Sequence, residues 1–317
     1  MKRFVIKRIL WMIPVALGVA VLIFTILQFT PGEPARMVLG SGATEADILE
    51  WRTAAGLEDP YIIQLLRFMK QTFIDFDFGN SYFTGVAVSD EIIRRFPYTF
   101  ILAFGSMIVS CLIGIPLGII AAVNQNKIGD RIAMLIALIG VSMPPFWVGL
   151  LLSLTFALKL GWLPPSGVGG GQYFILPVIA ASMSGIATLA RLVRSSMLEV
   201  IRADYVTTAQ AKGVEKLKSV YLHALPNALI PVVTQVGTSF GKTLGGTIVI
   251  ETVFGIPGIG NYMLSAVNNR DYPIVQGCVV FLALAFSIVV LLVDIIYAYV
   301  DPRIKAQYEQ ANGGKKA

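Results

Sequence analysis

The chain has 317 residues, 56% of them hydrophobic and 14% charged, with 25 Lys and Arg against 19 Asp and Glu and a formal net charge of +6. A mean hydropathy of +0.73 excludes a soluble domain of this length and makes lipid the solvent for most of the chain. The apolar residues form long runs and do not alternate as strands would, so the pattern predicts an all-α integral membrane protein. About 20 apolar residues are needed to cross a hydrocarbon layer of about 30 Å as a helix.

Six runs qualify as spans, at 9–29, 99–123, 132–158, 173–190, 228–250 and 272–299. The first follows Lys2, Arg3, Lys7 and Arg8. It is too long for a signal-peptide core and lacks a small-residue cleavage site, so it is read as a span. The loop at 31–97 is too long to be a plain connection and is expected to hold structure of its own. Thr44 and Asp47 form a capping-box pattern, Gly56 can close the helix begun there, and Asp59-Pro60 can start a second helix running to Phe73. Such a loop suits a lid or a platform for a delivery protein, and equally a structured connector.

In the third run Ser142-Met143-Pro144-Pro145 removes backbone donors and must break or kink the helix, a device that can bend around a translocation pathway. The Gly- and Pro-rich segment at 161–171 reads as an irregular turn. In the fifth run Gly237, Gly241 and Lys242-Thr243 imitate a phosphate-binding loop, but only three residues separate the glycines and no strand precedes them. Gly237, Gly241 and Gly245 instead form a small-residue stripe for close helix packing, as do Gly114 and Gly118 in the second run. Lys242 is costly near mid-membrane unless it faces protein, water or a counter-ion, so it is a candidate pathway residue together with Pro144, Pro145 and Glu251; Asp294 is a weaker one.

Lys and Arg beside the spans set the orientation. The N-terminus, Lys127 with Arg131, the group Arg191, Arg194, Arg202, Lys212, Lys216 and Lys218, and the tail with Arg303 and Lys305 share one side, the cytoplasm. Both termini are therefore expected there, while the acid-rich 31–97 loop lies outside. The net charge reflects this topology and does not call for nucleic acid. Cys111 and Cys278 both lie within predicted spans and suggest neither a disulfide framework nor a metal site, and His223 is the only histidine.

The stretch at 191–226 is helical in pattern but cannot span. Asp204 is placed to cap a helix through Ala211, Gly213 to end it in a left-handed turn, and Val214 to begin a second helix through Leu225 before Pro226 opens the fifth span. In that second helix Val214, Leu217, Val220 and Tyr221 form an apolar stripe. Small residues at Ala209 and Ala211 and the tight turn at Gly213 would present a blunt knob to a docking cleft; an amphipathic connector lying on lipid is the competing reading.

The same stretch resembles the signature loop of ABC-importer permeases: an acid-or-polar/Ala/Ala triplet, three residues, Gly, nine residues, an apolar position, any residue, then Leu-Pro. Thr207-Thr208-Ala209, Gly213 and Leu225-Pro226 fill it, with Thr207, Thr208 and His223 departing from the general pattern. Further pieces are similar to the first permease subunit of dipeptide and oligopeptide importers. Among them are Pro31-Gly32-Glu33-Pro34-Ala35, Pro144-Pro145-Phe146-Trp147, Arg194-Ser195-Ser196-Met197, Asp204-Tyr205-Val206, Glu251-Thr252-Val253-Phe254, Arg270-Asp271-Tyr272-Pro273 and Asp301-Pro302-Arg303.

The resemblance implies that residues 1–317 are one importer transmembrane domain in a bacterial or archaeal cell membrane, forming half of a peptide pathway. It implies three kinds of partner besides the bilayer: a second homologous permease, two cytoplasmic ABC ATPases that carry the ATP and Mg, and an extracytoplasmic solute-binding protein. The chain itself would bind no cofactor and be no enzyme. Docking to the ATPases would fall on Asp204, Tyr205, Thr208, Ala209, Ala211, Lys212, Gly213, Leu225 and Pro226. Dipeptides, oligopeptides, nickel chelates, glutathione and oligosaccharides all remain open as cargo. A stand-alone carrier or channel is the alternative of another class, though the paired repeats with buried mid-membrane acids that a carrier would show are not found.

Overall fold

A computed structural model describes residues 2–40 and 42–300, with side chains described for 5–40 and 42–296. Arg303, Lys305 and the Asp301-Pro302-Arg303 motif lie outside the described residues, as do the side chains of Lys2 and Arg3. The described residues are helical without a strand, apart from one isolated bridge between Asn80 and Ala87. The long helices are α1 (Lys2–Phe29), α5 (Val88–Val123), α8 (Ile175–Ile201) and α15 (Tyr272–Val300).

The first loop holds α2 (Pro34–Leu39), α3 (Glu45–Ala54) and α4 (Tyr61–Phe73). The capping box is present at α3: Asp47 donates its N–H to Thr44 Oγ1, and Thr44 donates its own N–H to Asp47 Oδ2 at 2.9 Å. The Thr44 hydroxyl, which donates to Asp47 Oδ2 at 2.7 Å, and then the Thr44 N–H hold the Asp47 carboxyl below the usual carboxylate range. Gly56 follows the helix end with φ +69°, and α4 starts directly after Pro60, whose fixed φ suits a helix start.

The third run divides into α6 (Ile128–Ser142) and α7 (Pro145–Leu152), the latter prolonged by a π-helical turn over Ser153–Lys159. The two arms meet at 100° across Met143-Pro144, because the consecutive prolines withhold the N–H groups that would continue the ladder. The fifth run is also divided, into α12 (Ile230–Gly246) and α13 (Ile248–Val253), after the helix-weakening pair Gly245-Gly246. Among the described residues four helices are long and apolar enough to cross a membrane, or five if the bent pair is one span. The six runs therefore do not emerge as six continuous helices. Between α13 and α15 lies α14 (Ile259–Asn269), closed by Arg270 in the left-handed conformation.

Glycines bring the bundle together. A methyl group on Gly114 would stand 2.8 Å from the Ile186 carbonyl oxygen, and one on Gly118 would stand 2.6 Å from that of Ala190, so the backbones of α5 and α8 approach closely along that stripe. On α12 a methyl at Gly237 would overlap Val293 of α15, and one at Gly241 would stand 2.6 Å from the Phe286 ring. Gly245, the third member expected in that stripe, meets nothing within 4 Å. Gly237 to Thr243 are continuous helix, so the phosphate-loop likeness ends there.

Candidate coupling site

The end of the bundle opposite the first loop carries a helix-turn-helix. From the end of α8 the chain passes through extended Ala203 into α9 (Asp204–Ala211). Asp204 is thus the first helical residue and not the cap: no side chain caps α9, and the Asp204 charge acts on the free N–H end of the helix as an exposed group. Gly213, at φ +91°, ends the helix in a Schellman turn. Its N–H donates to the Gln210 carbonyl at 2.9 Å and that of Val214 to the Ala209 carbonyl at 3.2 Å. A Cβ on Gly213 would meet nothing within 4 Å. Backbone geometry alone demands glycine there, and the space beyond it is open.

The second helix begins at α10 (Lys216–Ser219), two residues later than expected, because Val214 and Glu215 complete the turn. It does not stop at Leu225. A π-helical turn over Val220–Ala224 leads into α11 (Leu225–Ala228), and only then does α12 start. Pro226 has no N–H to give to the Leu222 carbonyl, and the turn before it is the wide one. Pro226 therefore sits inside a short connecting helix and does not open the fifth span.

The expected apolar stripe is split between two faces. Val220, Ala224 and Val206 are buried, and Val220 joins Ala122, Leu189, Val193, Met197, Ala228 and Val232 in one core cluster. Leu217, Tyr221 and Leu222 are instead 54%, 52% and 58% exposed. Asn227 Nδ2 donates to Tyr205 Oη at 3.0 Å and to the His223 carbonyl at 3.1 Å, which ties α9 to the wide turn. Of the nine residues expected to dock, Asp204, Tyr205, Thr208, Ala211, Lys212, Gly213 and Pro226 are exposed, while Ala209 and Leu225 are half-buried. The result is a rigidly seated knob with an apolar and basic outer surface.

The base of the knob is fastened by a pair of which the sequence reading used only Arg194, for orientation and in a matching motif. Arg194 of α8 donates from Nε to Asp130 Oδ1 at 2.7 Å and from Nη2 to Oδ2 at 2.8 Å, and the Asn126 N–H adds a third bond at 2.9 Å. Arg202 reaches Gln125 at 3.0 Å, again across from α8 to the α5–α6 turn. Nothing in the local pattern separates these basic residues from their neighbours; the pairing spans 64 positions.

The pathway candidates fall apart into three environments. Glu251 is 0% exposed. Thr99 and Thr247 donate their hydroxyls to its Oε1 at 2.7 and 2.8 Å, and the Asn261 N–H donates to Oε2 at 2.8 Å. Thr99 Oγ1 in turn accepts the Ile259 N–H at 2.9 Å. A pathway role does not fit a carboxylate so enclosed; it clasps α5, α13 and α14 together. Asp294 pairs with Arg8 at 3.0 Å. Pro144, Pro145 and Lys242 are exposed, and no ion pair reaches Lys242 among the described residues.

Residues 114–306 match the family model of the binding-protein-dependent transport system inner membrane component, and residues 1–103 match its N-terminal companion. Over 305 residues the chain is 41% identical to the glutathione transport system permease protein GsiC of Salmonella paratyphi A, covering 96% of this chain and 99% of that one. The dipeptide transport system permease protein DppB of Alkalihalophilus pseudofirmus is 39% identical over 333 residues, with 96% and 100% covered. Among solved structures, an inward-facing form of the MetNI methionine ABC transporter matches in fold with a TM-score of 0.57 at 18% identity, covering 66% of this chain and 96% of that one. The chain belongs to the binding-protein-dependent transport system inner membrane components, and is the membrane-spanning permease subunit of an ABC-type importer.

Proposed function

We propose that this chain forms half of the route for short peptides in an ATP-driven importer, and that its knob converts ATPase movement into reorientation of the spans. The observation that carries the reading is the knob itself. Its inner face is sewn into the bundle core through Val206 and Val220, while Tyr205, Leu217, Tyr221 and Leu222 remain on its outer face. An apolar patch beside the basic Lys212, Lys216 and Lys218 suits a protein cleft, and a rigidly seated element can transmit a push as a two-state, rigid-body movement.

In this reading two ATPases hold the ATP and Mg and perform the hydrolysis, a second permease of the same kind completes the route, and a solute-binding protein delivers cargo to the first-loop end. This chain has no catalytic role. It crosses the membrane six times, α12 with α13 supplying the crossing that no single long helix provides, with both termini in the cytoplasm. Relatives named for dipeptide and for glutathione transport support a peptide cargo, and glutathione, itself a peptide, is the second reading. The test is reconstitution of the full complex in liposomes with dialanine and with glutathione. Uptake that needs both ATP and the ATPase subunits is expected; uptake by the permeases alone would overturn the reading.

A further inference from the structure

The exposed faces of α8 and α12 carry polar and small residues at helical spacing, where lipid-facing helices carry large apolar ones. On α12 Pro231, Thr234, Lys242 and Gly245 are exposed and Thr238 half-exposed; at about 100° per residue all five fall within an arc of about 80°. On α8 Ser184, Arg191, Ser195 and Glu199 are exposed and Thr188 half-exposed, again within about 80°. Contrast α5, whose outward positions include Leu112 at 69% and Ile108 at 41% exposure. An ionised lysine or arginine in lipid would be unfavourable, so these stripes face water or protein.

The two helices lie side by side. Ala181 and Leu189 of α8 line one small cavity with Val236 and Thr243 of α12, Val193 and Val232 share one core cluster, and α8 runs toward the knob while α12 runs away from it, so the two are antiparallel. Each stripe is turned about 120° from the line joining the two helices, in opposite rotational senses, which brings both out on the side away from α5. Neighbours occupy the other directions: α5 through Gly114 and Gly118, α6 through Gly140, which a methyl group would bring to 3.2 Å from the Met183 carbonyl oxygen, and α15 through Gly237 and Gly241. Lys242 lies eight residues beyond Thr234, about 12 Å along α12. Two cations, Lys242 and Arg191, thus mark this wall, and neither has an ion-pair partner among the described residues. Glu199 is the one acid on the stripes, at the knob end.

We infer that α8 and α12 form a wetted, cationic wall of the translocation route, and that Lys242 selects cargo by engaging a free carboxylate on it. The inference rests on the importer reading and deepens it. Hydroxyls at Ser184, Thr188, Thr234 and Thr238 replace part of the cargo's hydration, while Lys242 and then Arg191 offer successive counter-charges to an anionic group moving from the first-loop end toward the knob.

The test uses the reconstituted complex with Cys111 and Cys278 replaced by Ala and one new thiol at Thr238→Cys. Thiol-reactive methanethiosulfonates of opposite charge are compared, one bearing a sulfonate and one a quaternary ammonium. The sulfonate reagent is expected to modify Thr238→Cys about fivefold faster or more than the ammonium reagent. Lys242→Met should erase that preference, Lys242→Arg should keep it, and Leu112→Cys should resist both reagents. No modification of Thr238→Cys, or a preference unchanged by Lys242→Met, overturns the inference. A parallel uptake assay compares dialanine with its C-terminal amide, each with loaded binding protein in saturating excess. Lys242→Met should slow only the free acid, and an equal effect on both contradicts the selection. If the unaltered complex shows no ATP-dependent uptake, the importer reading fails separately, and the labelling still decides whether the wall is wet and cationic.

Discussion

At the first-loop end of the bundle two carboxylates, Glu251 and Asp271, are 0% and 2% exposed, and each is enclosed by donors from distant parts of the chain. Asp271 accepts from Ser81 Oγ at 2.6 Å and from the Tyr82 N–H at 3.1 Å, as Glu251 accepts from Thr99, Thr247 and Asn261. Arg270 beside it bonds the Pro31 carbonyl. At the knob end the charged residues Asp204, Lys212, Glu215, Lys216 and Lys218 are all exposed, and only Asp130 with Arg194 is taken inward. One end encloses its two buried carboxylates within the chain. The other presents its charged groups outward on a firmly rooted projection, as a surface meant for contact does.

This contrast can be broken at either end. Glu251→Leu should be the most damaging change, since it strands two buried hydroxyls and the Asn261 N–H. A loss above about 3 kcal/mol is expected, read as a lower apparent melting temperature in detergent. If the variant melts like the unaltered protein, the clasp is not what holds α5, α13 and α14. Asp130→Ala removes the acceptor of a bidentate arginine that is itself 28% exposed, so a smaller loss of about 1–3 kcal/mol should follow. Loosening should concentrate at the knob, visible as faster amide exchange in 204–228 than in α3. Uniform exchange would show that Arg194 does not root it.

Gly213→Val places a β-branched residue at φ +91° with open space around it, a backbone penalty of about 1–2 kcal/mol with no packing clash. Its melting temperature should fall only slightly. The smallest effect belongs to the loop: Thr44→Ala removes a helix cap worth on the order of 1 kcal/mol and should increase proteolysis within α3 while sparing uptake. Lost uptake would mean that the first loop contributes to transport through α3 itself.

Much of this architecture was legible in the sequence because it depends on neighbours along the chain. The prolines at 144 and 145 break the third run, Thr44 and Asp47 cap α3, and glycines at intervals of four mark helix contacts, each by a local rule. The knob was legible for the same reason, through Gly213 and the inability of its sequence to span. What escaped depends on residues far apart. Glu251 looked like a pathway acid because its partner Thr99 lies 152 positions away, and Asp271 entered only as part of a matching motif because Ser81 is 190 away. The division of the apolar stripe on α10 and the following turn escaped for another reason: a π turn over Val220–Ala224 changes the angular spacing from Val220 onward, so a regular helical wheel carried through Tyr221 misassigns the buried face.

The most direct test of the account is the ratio of uptake to ATP hydrolysis in the reconstituted complex, measured for the unaltered chain and for Gly213→Val. The knob transmits ATPase movement if hydrolysis persists in the variant while uptake per ATP falls at least about tenfold, as expected for a displaced coupling element. Uptake per ATP equal to that of the unaltered chain would contradict the account.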